Sequence, residues 1–218
     1  MRGVFVTGTD TGVGKTVVSA ALLHRYGPSV RYWKPIQTGI EYDDDTAEVQ
    51  RLTGCGPGRV VDAGVRLPRR LSPHLAARLA GVTLDLASLA ASAGAWVGEG
   101  TCIVEGAGGV LVPLDEQALL VDLVGRYRLP VVVVARSGLG TINHTLLTIE
   151  ALERRAVAVA GVVMVGPLNP DNRLAIEHYS RIPVLGELPP LDPLTPAALG
   201  GWAAQALDVA GRLAEHLT

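Results

Sequence analysis

Short apolar runs alternate with longer stretches of mixed character from one end of the chain to the other. Residues 3–7, Gly-Val-Phe-Val-Thr, are of strand type, and residues 17–26, VVSAALLHRY, continue as a helix. Residues 30–34 read as a second strand, and a helical stretch runs from 46 to 52. Residues 54–71 are rich in Gly, Pro and Arg and read as loop. Ser72 and Pro73 open a helix as N-cap and first helical residue. A further amphipathic helix covers 84–96. Residues 101–105 form a buried strand ending in a carboxylate, and 119–127 a helix. Residues 129–135 are uniformly apolar, as in a central parallel strand covered on both faces. Helix 142–155, strand 158–165, a short helix 171–180, strand 184–188 and a closing helix 196–216 complete the pattern. Strands alternating with helices predict an α/β fold, a doubly wound, mostly parallel sheet with helices on both faces. No repeat or long linker divides the chain, so one domain over 1–218 is expected.

Composition narrows the partners. The chain has 218 residues, 48% of them hydrophobic but only 4% aromatic, so the core must be built from Val, Leu, Ala and Ile. Net charge is −2 and the pI about 6.2, which points to neither nucleic acid nor an anionic membrane. The apolar runs near 129–135 and 156–165 are too short to span a bilayer. The chain starts directly with a strand and shows no signal-peptide pattern. Cys55 and Cys102 have no disulfide or metal spacing, and Cys102 sits in an apolar run of core type. A cytoplasmic protein is expected.

The first strand carries the strongest chemical signal. It is followed by GTDTGVGKT, Gly8 to Thr16, and then by a helix. In such a loop the backbone N–H groups point inward to hold phosphate oxygens, and the helix N-terminus adds partial positive charge. Lys15 would reach the β- and γ-phosphates, and the Thr16 hydroxyl would coordinate Mg²⁺. The strict pattern G-x-x-x-x-G-K-[ST] requires glycine at position 9, where this chain has Thr9; Gly8 comes one step earlier. The loop is a variant with one extra residue, and the fold it implies is P-loop NTPase-like.

Other polar groups fall at strand ends. Lys34 closes the second strand and enters KPIQTG, on the edge where open α/β sheets bind ligands. A solvated surface lysine is the alternative. Asp43, Asp44 and Asp45 precede a helix, where negative charge is favourable, and beside a P-loop one of them can bind Mg²⁺. Glu105 ends a buried apolar strand and needs a positive partner or a metal. Gly106, Ala107, Gly108 and Gly109 follow and allow close approach of backbone to ligand. His74 reads as structural. Residues 138–145 form another loop at a strand's C-terminal end, where Asn143 opens a helix as its N-cap.

Taken together, GTDTGVGKT, KPIQTG, DDDTAEV, SPH, VEGAGG, LGTINHT and LGELP resemble the dethiobiotin synthetases, in the same order and over nearly the whole chain. The resemblance implies an ATP-dependent cyclo-ligase of biotin synthesis. It would form a cyclic urea on 7,8-diaminopelargonic acid from CO₂ or bicarbonate, releasing ADP and phosphate. The route would run through a carbamate and a carbamic-phosphoric anhydride. Lys34, Lys15 and Thr11 would serve catalysis. Thr16, Asp45 and Glu105 would hold Mg²⁺. The phosphate cradle would be Gly12, Val13, Gly14, Lys15, Thr16 and Val17. Glu105, Gly106, Ala107 and Gly108 would touch nucleotide, and Thr38 and Gly108 the substrate. The resemblance further implies a homodimer in which Leu139, Gly140, Ile142 and Asn143 close over the substrate's carboxylate tail from the partner subunit. Pro189, Pro190 and Leu191 match the loop beneath the base. The Asn-Asp that reads adenine in many relatives is replaced here by Val165 and Gly166, and Pro196 stands where some have a glutamate. The expected co-substrate is therefore ATP or another nucleoside triphosphate.

Two other readings compete. A P-loop amidotransferase-type synthetase would usually carry a glutaminase domain, for which this length leaves no room. A partner-binding ATPase switch commonly has a second lysine early in the loop, where this chain has Thr9 and Asp10. A GTPase would need Asn-Lys-x-Asp, which is missing.

Overall fold

The computed structural model describes residues 2–56, 58–61, 63–97 and 100–218. Its centre is β1 (Arg2–Gly8), a seven-residue strand buried from its second residue onward. β6 (Thr101–Gly109) and β7 (Val131–Arg136) flank it, both parallel to it. β2 (Val30–Trp33) and the short β4 (Val60–Val61) extend one wing; β8 (Val159–Val165) and β9 (Val184–Leu188) extend the other. The order is β4-β2-β6-β1-β7-β8-β9, with every neighbouring pair parallel.

The strand period of two sorts the core into two layers. Along β1, Val4 and Val6 face one layer and Phe5 the other; along β7, Val132 and Val134 oppose Val131 and Val133. The first layer is closed by α1 (Lys15–Tyr26), α2 (Asp45–Thr53), α8 (Pro196–Ala206) and α9 (Ala214–Leu217), through Val18, Leu22, Leu52, Leu199 and Leu217. The second is closed by α4 (Leu86–Val97), α5 (Leu120–Tyr127), α6 (Thr141–Glu153) and α7 (Pro170–Ser180), through Leu89, Leu123, Leu152 and Ile176. Each such side chain, removed from water, contributes ~1.5–3 kcal/mol. The doubly wound parallel sheet expected from the sequence is present.

Three local readings need correction. Residues 54–71 are not all loop: β4 lies there, and β5 (Val65–Leu67) pairs with β3 (Ile36–Thr38) in a separate two-stranded sheet. These strands are two or three residues long, too short for alternation to show. The closing helix 196–216 is broken. Asp208 takes a positive φ of 46°, and its carboxylate accepts the N–H groups of Arg212 and Leu213 at 2.9 and 2.8 Å and the Tyr26 hydroxyl. Those bonds replace the helical ladder. Finally, α6 starts at Thr141 with Gly140 as its N-cap, so Asn143 lies inside the first turn. Ser72 does precede α3 (Pro73–Ala80) as N-cap, though its side chain makes no capping bond.

Candidate active site

The loop joining β1 to α1 explains its own departure from the strict pattern. A Cβ on Gly8 would lie 2.7 Å from Val13 Cγ2 and 2.8 Å from the Asp10 carbonyl oxygen, so only glycine fits where the strand turns. Val13 itself is buried in the α1 layer and anchors the loop to the core. Gly14 caps α1 with φ 99°, a conformation that favours glycine, and Val165 packs against it at 3.2 Å from a would-be Cβ. Arg136, at the end of β7, donates to the Thr11 carbonyl at 3.1 Å and pairs with Asp10 at 3.3 Å. Lys15 Nζ donates to the Asp10 carbonyl at 3.0 Å, folding back over the loop. Burial, with the neighbouring Lys34 charge, lowers the Lys15 pKa to about 8.

One carboxylate organises the polar centre. Glu105 is fully buried on β6. Its Oε1 accepts Lys34 Nζ at 2.7 Å and lies 3.1 Å from Thr16 Oγ1, whose one proton it shares with Asp45; its Oε2 accepts Ser19 Oγ at 2.9 Å and Tyr32 OH at 3.1 Å. Asp45, the first residue of α2, faces the same point. Its Oδ1 accepts Thr16 Oγ1 at 2.7 Å and its Oδ2 lies 2.7 Å from Lys34 Nζ. Lys34 is therefore no surface lysine. Burial opposes its charge, but Glu105 and Asp45 outweigh burial and raise its pKa above the ordinary value. Asp45 shows the converse: burial alone would raise its pKa, yet Lys34, Thr16 and Lys15 bring the net shift down. Burial and the Glu105 charge push the Tyr32 phenol well up.

The other two aspartates have different work. Asp44 caps α2 by accepting Ala47 N–H at 3.1 Å, accepts Gln37 Nε2 at 3.1 Å and pairs with Arg66. Asp43 pairs with Arg70 at 3.0 Å.

A cavity of about 530 Å³ opens over this centre. Thr11, Gly12, Gly14, Lys15, Thr16 and Val17 line it from the loop side. Lys34, Thr38, Asp45, Glu105, Ala107 and Gly108 line it from the strand ends. The structure thus brings together most of the expected phosphate residues, all three expected metal residues and, of the expected substrate residues, Thr38 and Gly108. The cavity lining does not include Val13, whose side chain is buried in the core, nor Gly106, Leu139, Gly140, Ile142 or Asn143, nor Val165, Gly166, Pro189, Pro190 or Leu191. Leu139 and Asn143 project to solvent at the start of α6. The sequence reading missed Arg70, Leu71, Val112 and the Ser72-Pro73 pair as wall residues. Arg70 lies in a stretch read only as loop; its reach to Asp43 is a tertiary contact with no local signal.

The donor set suits Mg²⁺. Two carboxylates and one hydroxyl, all oxygen, converge near Thr16, and such a cation takes one or two carboxylates plus phosphate oxygens and waters. Among the described residues no cluster of three or more His, Cys, Asp or Glu forms an all-protein cage.

A glycine-rich turn after the central parallel strand, a lysine and threonine at the helix entry and two carboxylates on the same sheet edge define a P-loop nucleotide-binding protein. Solved structures agree on the fold. The MinC:MinD cell division protein complex of Aquifex aeolicus gives a TM-score of 0.60 at 15% identity, covering 99% of this chain and 96% of that one. A ParA family ATPase from Chlorobium tepidum gives 0.61 at 9% identity, covering 93% and 97%. The family described as AAA domain matches residues 2–198. Sequence relatives are closer and more specific. The ATP-dependent dethiobiotin synthetase of Paramagnetospirillum magneticum is 52% identical, covering 92% of this chain and 94% of its own. That of Brucella ovis is 45% identical, covering 90% of each. The biotin biosynthesis bifunctional protein of Bordetella avium is 49% identical over 94% of this chain and 43% of its own length. The chain belongs to the dethiobiotin synthetase family.

Proposed function

We propose that this protein makes dethiobiotin from 7,8-diaminopelargonate, CO₂ and ATP, as a cyclo-ligase of biotin biosynthesis. The observation that carries the reading is the meeting of Lys15 and Lys34 with Thr16, Asp45 and Glu105 at one end of a cavity, in a chain of this family. The carbamate on the 7-amine attacks the γ-phosphate through oxygen, breaking the bond to ADP and giving a carbamic-phosphoric anhydride. The 8-amine then attacks the carbonyl carbon, closes the urea, loses a proton and expels phosphate. Both steps ask the protein for positioning and charge neutralisation. Lys15 binds the β- and γ-phosphates. Lys34 approaches the transferred group from the opposite wall. Thr16, Asp45 and Glu105 would hold Mg²⁺, which supplies charge neutralisation on the phosphates. Thr11 and Thr38 offer hydroxyls to carbamate and substrate across the cavity.

The remaining roles belong to the same proposal. The chain acts as one domain and as a homodimer, with Leu139, Gly140, Ile142 and Asn143 of each subunit closing over the carboxylate tail in the other. Exposed Leu139 and Leu147 on the α6 side support a buried face there. Val165, Gly166, Pro189, Pro190 and Leu191 surround the base. No helix among the described residues is long and apolar enough to cross a membrane, in keeping with a cytoplasmic enzyme. The test is phosphate release from ATP with diaminopelargonate and bicarbonate supplied together and singly. Release that needs neither would overturn the reading in favour of a partner-driven ATPase.

A further inference from the structure

We propose that Ser19 and Tyr32 are positioning residues that hold Glu105 in the one orientation that presents Oε1 to the nucleotide-metal site. This rests on the metal role of Glu105 proposed above. A glutamate's terminal torsion is broad and its two oxygens are equivalent, so backbone placement alone does not fix the plane of the carboxylate or aim one oxygen squarely at the cavity. Here two buried hydroxyls converge on Oε2, Ser19 Oγ at 2.9 Å and Tyr32 OH at 3.1 Å. Oε1 is left to Thr16 and Lys34, both lining the cavity.

Two secondary-structure periods create this division. Ser19 follows Thr16 by three residues on α1, so both point from one helix face. Tyr32 precedes Lys34 by two residues along β2 and its extension, so both leave the strand on one side. Each element therefore sends one group to the cavity-facing oxygen and one to the hidden oxygen. The hidden pair lies fully buried and reaches no ligand itself. Its effect on chemistry must pass through Glu105, as outer partners of metal-binding carboxylates do.

The experiment is a Mn²⁺ titration of the ADP-bound enzyme, read by electron paramagnetic resonance, on wild type, Ser19→Ala, Tyr32→Phe, Glu105→Gln and the Tyr32→Phe/Glu105→Gln double variant. Tyr32→Phe keeps the ring in its core position, and Ser19→Ala provides an independent variant should the first fail to fold. Each single hydroxyl loss is expected to weaken Mn²⁺ binding about tenfold, the scale of removing an outer partner. In the Glu105→Gln background, Tyr32→Phe should add nothing. A merely structural role would lower the unfolding temperature and leave Mn²⁺ affinity at the wild-type value; that result overturns the inference while the loss in Glu105→Gln keeps the metal role standing. Full additivity in the double variant also overturns it. Unchanged affinity in Glu105→Gln defeats the metal role itself, and the inference with it.

Discussion

Lys34 Nζ stands 2.7 Å from Glu105 Oε1 in a pair hidden from solvent, and the same ammonium is 2.7 Å from Asp45 Oδ2. A single ammonium thus bridges the two carboxylates that the proposed function assigns to Mg²⁺ and offsets one of their two negative charges. On the proposed function, bound metal would take over the two carboxylates and Lys34 would serve the transferred phosphoryl group. Removing the ammonium leaves the buried Glu105 carboxylate facing the half-buried carboxylate of Asp45 with no cation between them, and breaking a buried pair in this way costs about 3–5 kcal/mol.

Lys34→Met is therefore expected to lower turnover by at least about a hundredfold, the scale of one preorganised electrostatic contact. It should also unfold at a lower temperature in EDTA and recover part of the loss on adding Mg²⁺. Thermal melts with and without Mg²⁺, beside steady-state rates, check both. Near-normal turnover would remove Lys34 from the chemistry.

The aspartate triplet divides its labour by geometry, which the sequence did not reveal from spacing alone. Asp45→Asn should weaken Mg²⁺-nucleotide binding with little change in folding, because Asp45 meets Thr16 and Lys34. Asp44→Ala should instead cost about 1 kcal/mol of stability, the usual scale of a lost N-cap. Calorimetric titration of nucleotide with Mg²⁺, alongside denaturant unfolding, separates the two. Equal loss of metal binding in both variants would mean the assignment within the triplet is wrong.

Features whose parts adjoin in sequence are legible in it, and those that meet only after folding are not. The β1-loop-α1 unit is legible because strand run, glycines, lysine and helix adjoin in sequence. Glu105 is legible as a carboxylate ending a buried strand. Arg70 is not, since it meets Asp43 only after β3 and β5 pair, and neither strand is long enough to alternate. Asn143 resembles an N-cap by residue type, yet Gly140 takes that place because the chain turns there with φ 91°. The break after α8 depends on Asp208 meeting Tyr26 and two backbone N–H groups, contacts partly distant in sequence.

Lys15 gives the fold a pH dependence of definite sign. Its pKa is about 8 in the folded chain, against 10.5 ordinarily, because burial and Lys34 disfavour the charge. Below about pH 8 the folded chain bears the whole penalty of burying the ammonium. Between about 8 and 10.5 the unfolded chain holds a proton that the folded chain has lost, so this group makes stability rise with pH. The penalty so relieved is about 3 kcal/mol. Lys15→Met should be more stable than wild type near neutrality and lose that advantage toward pH 10.5, measured by denaturant unfolding without nucleotide or metal. A Met variant less stable at neutrality would show that the bond to the Asp10 carbonyl and the nearby carboxylates outweigh burial.

The last expectation concerns the base. An adenine-selective pocket needs polar groups fixed against the ring's hydrogen-bonding edge, and such a site can reject the wrong base by factors on the order of 10⁴. Val165 has no polar side chain, and its methyl groups pack against Gly14. Its carbonyl already accepts Ser137 N–H at 3.0 Å, and Gly166 N–H is spent on the Leu188 carbonyl at 2.9 Å. Pro189 and Pro190 bring no N–H at all. The backbone of the proposed base site is thus largely committed to holding β7, β8 and β9 together, and the triphosphate and Mg²⁺ that every nucleotide shares should dominate binding. CTP, GTP and UTP are therefore expected to support dethiobiotin formation within roughly one to two orders of magnitude of ATP, the range that shape discrimination of about 1–3 kcal/mol allows. The measurement is kcat/KM for each triphosphate at saturating diaminopelargonate and bicarbonate. A preference for ATP above about a thousandfold would mean that polar groups outside this stretch read the base, and that Val165 and Gly166 do not relax it.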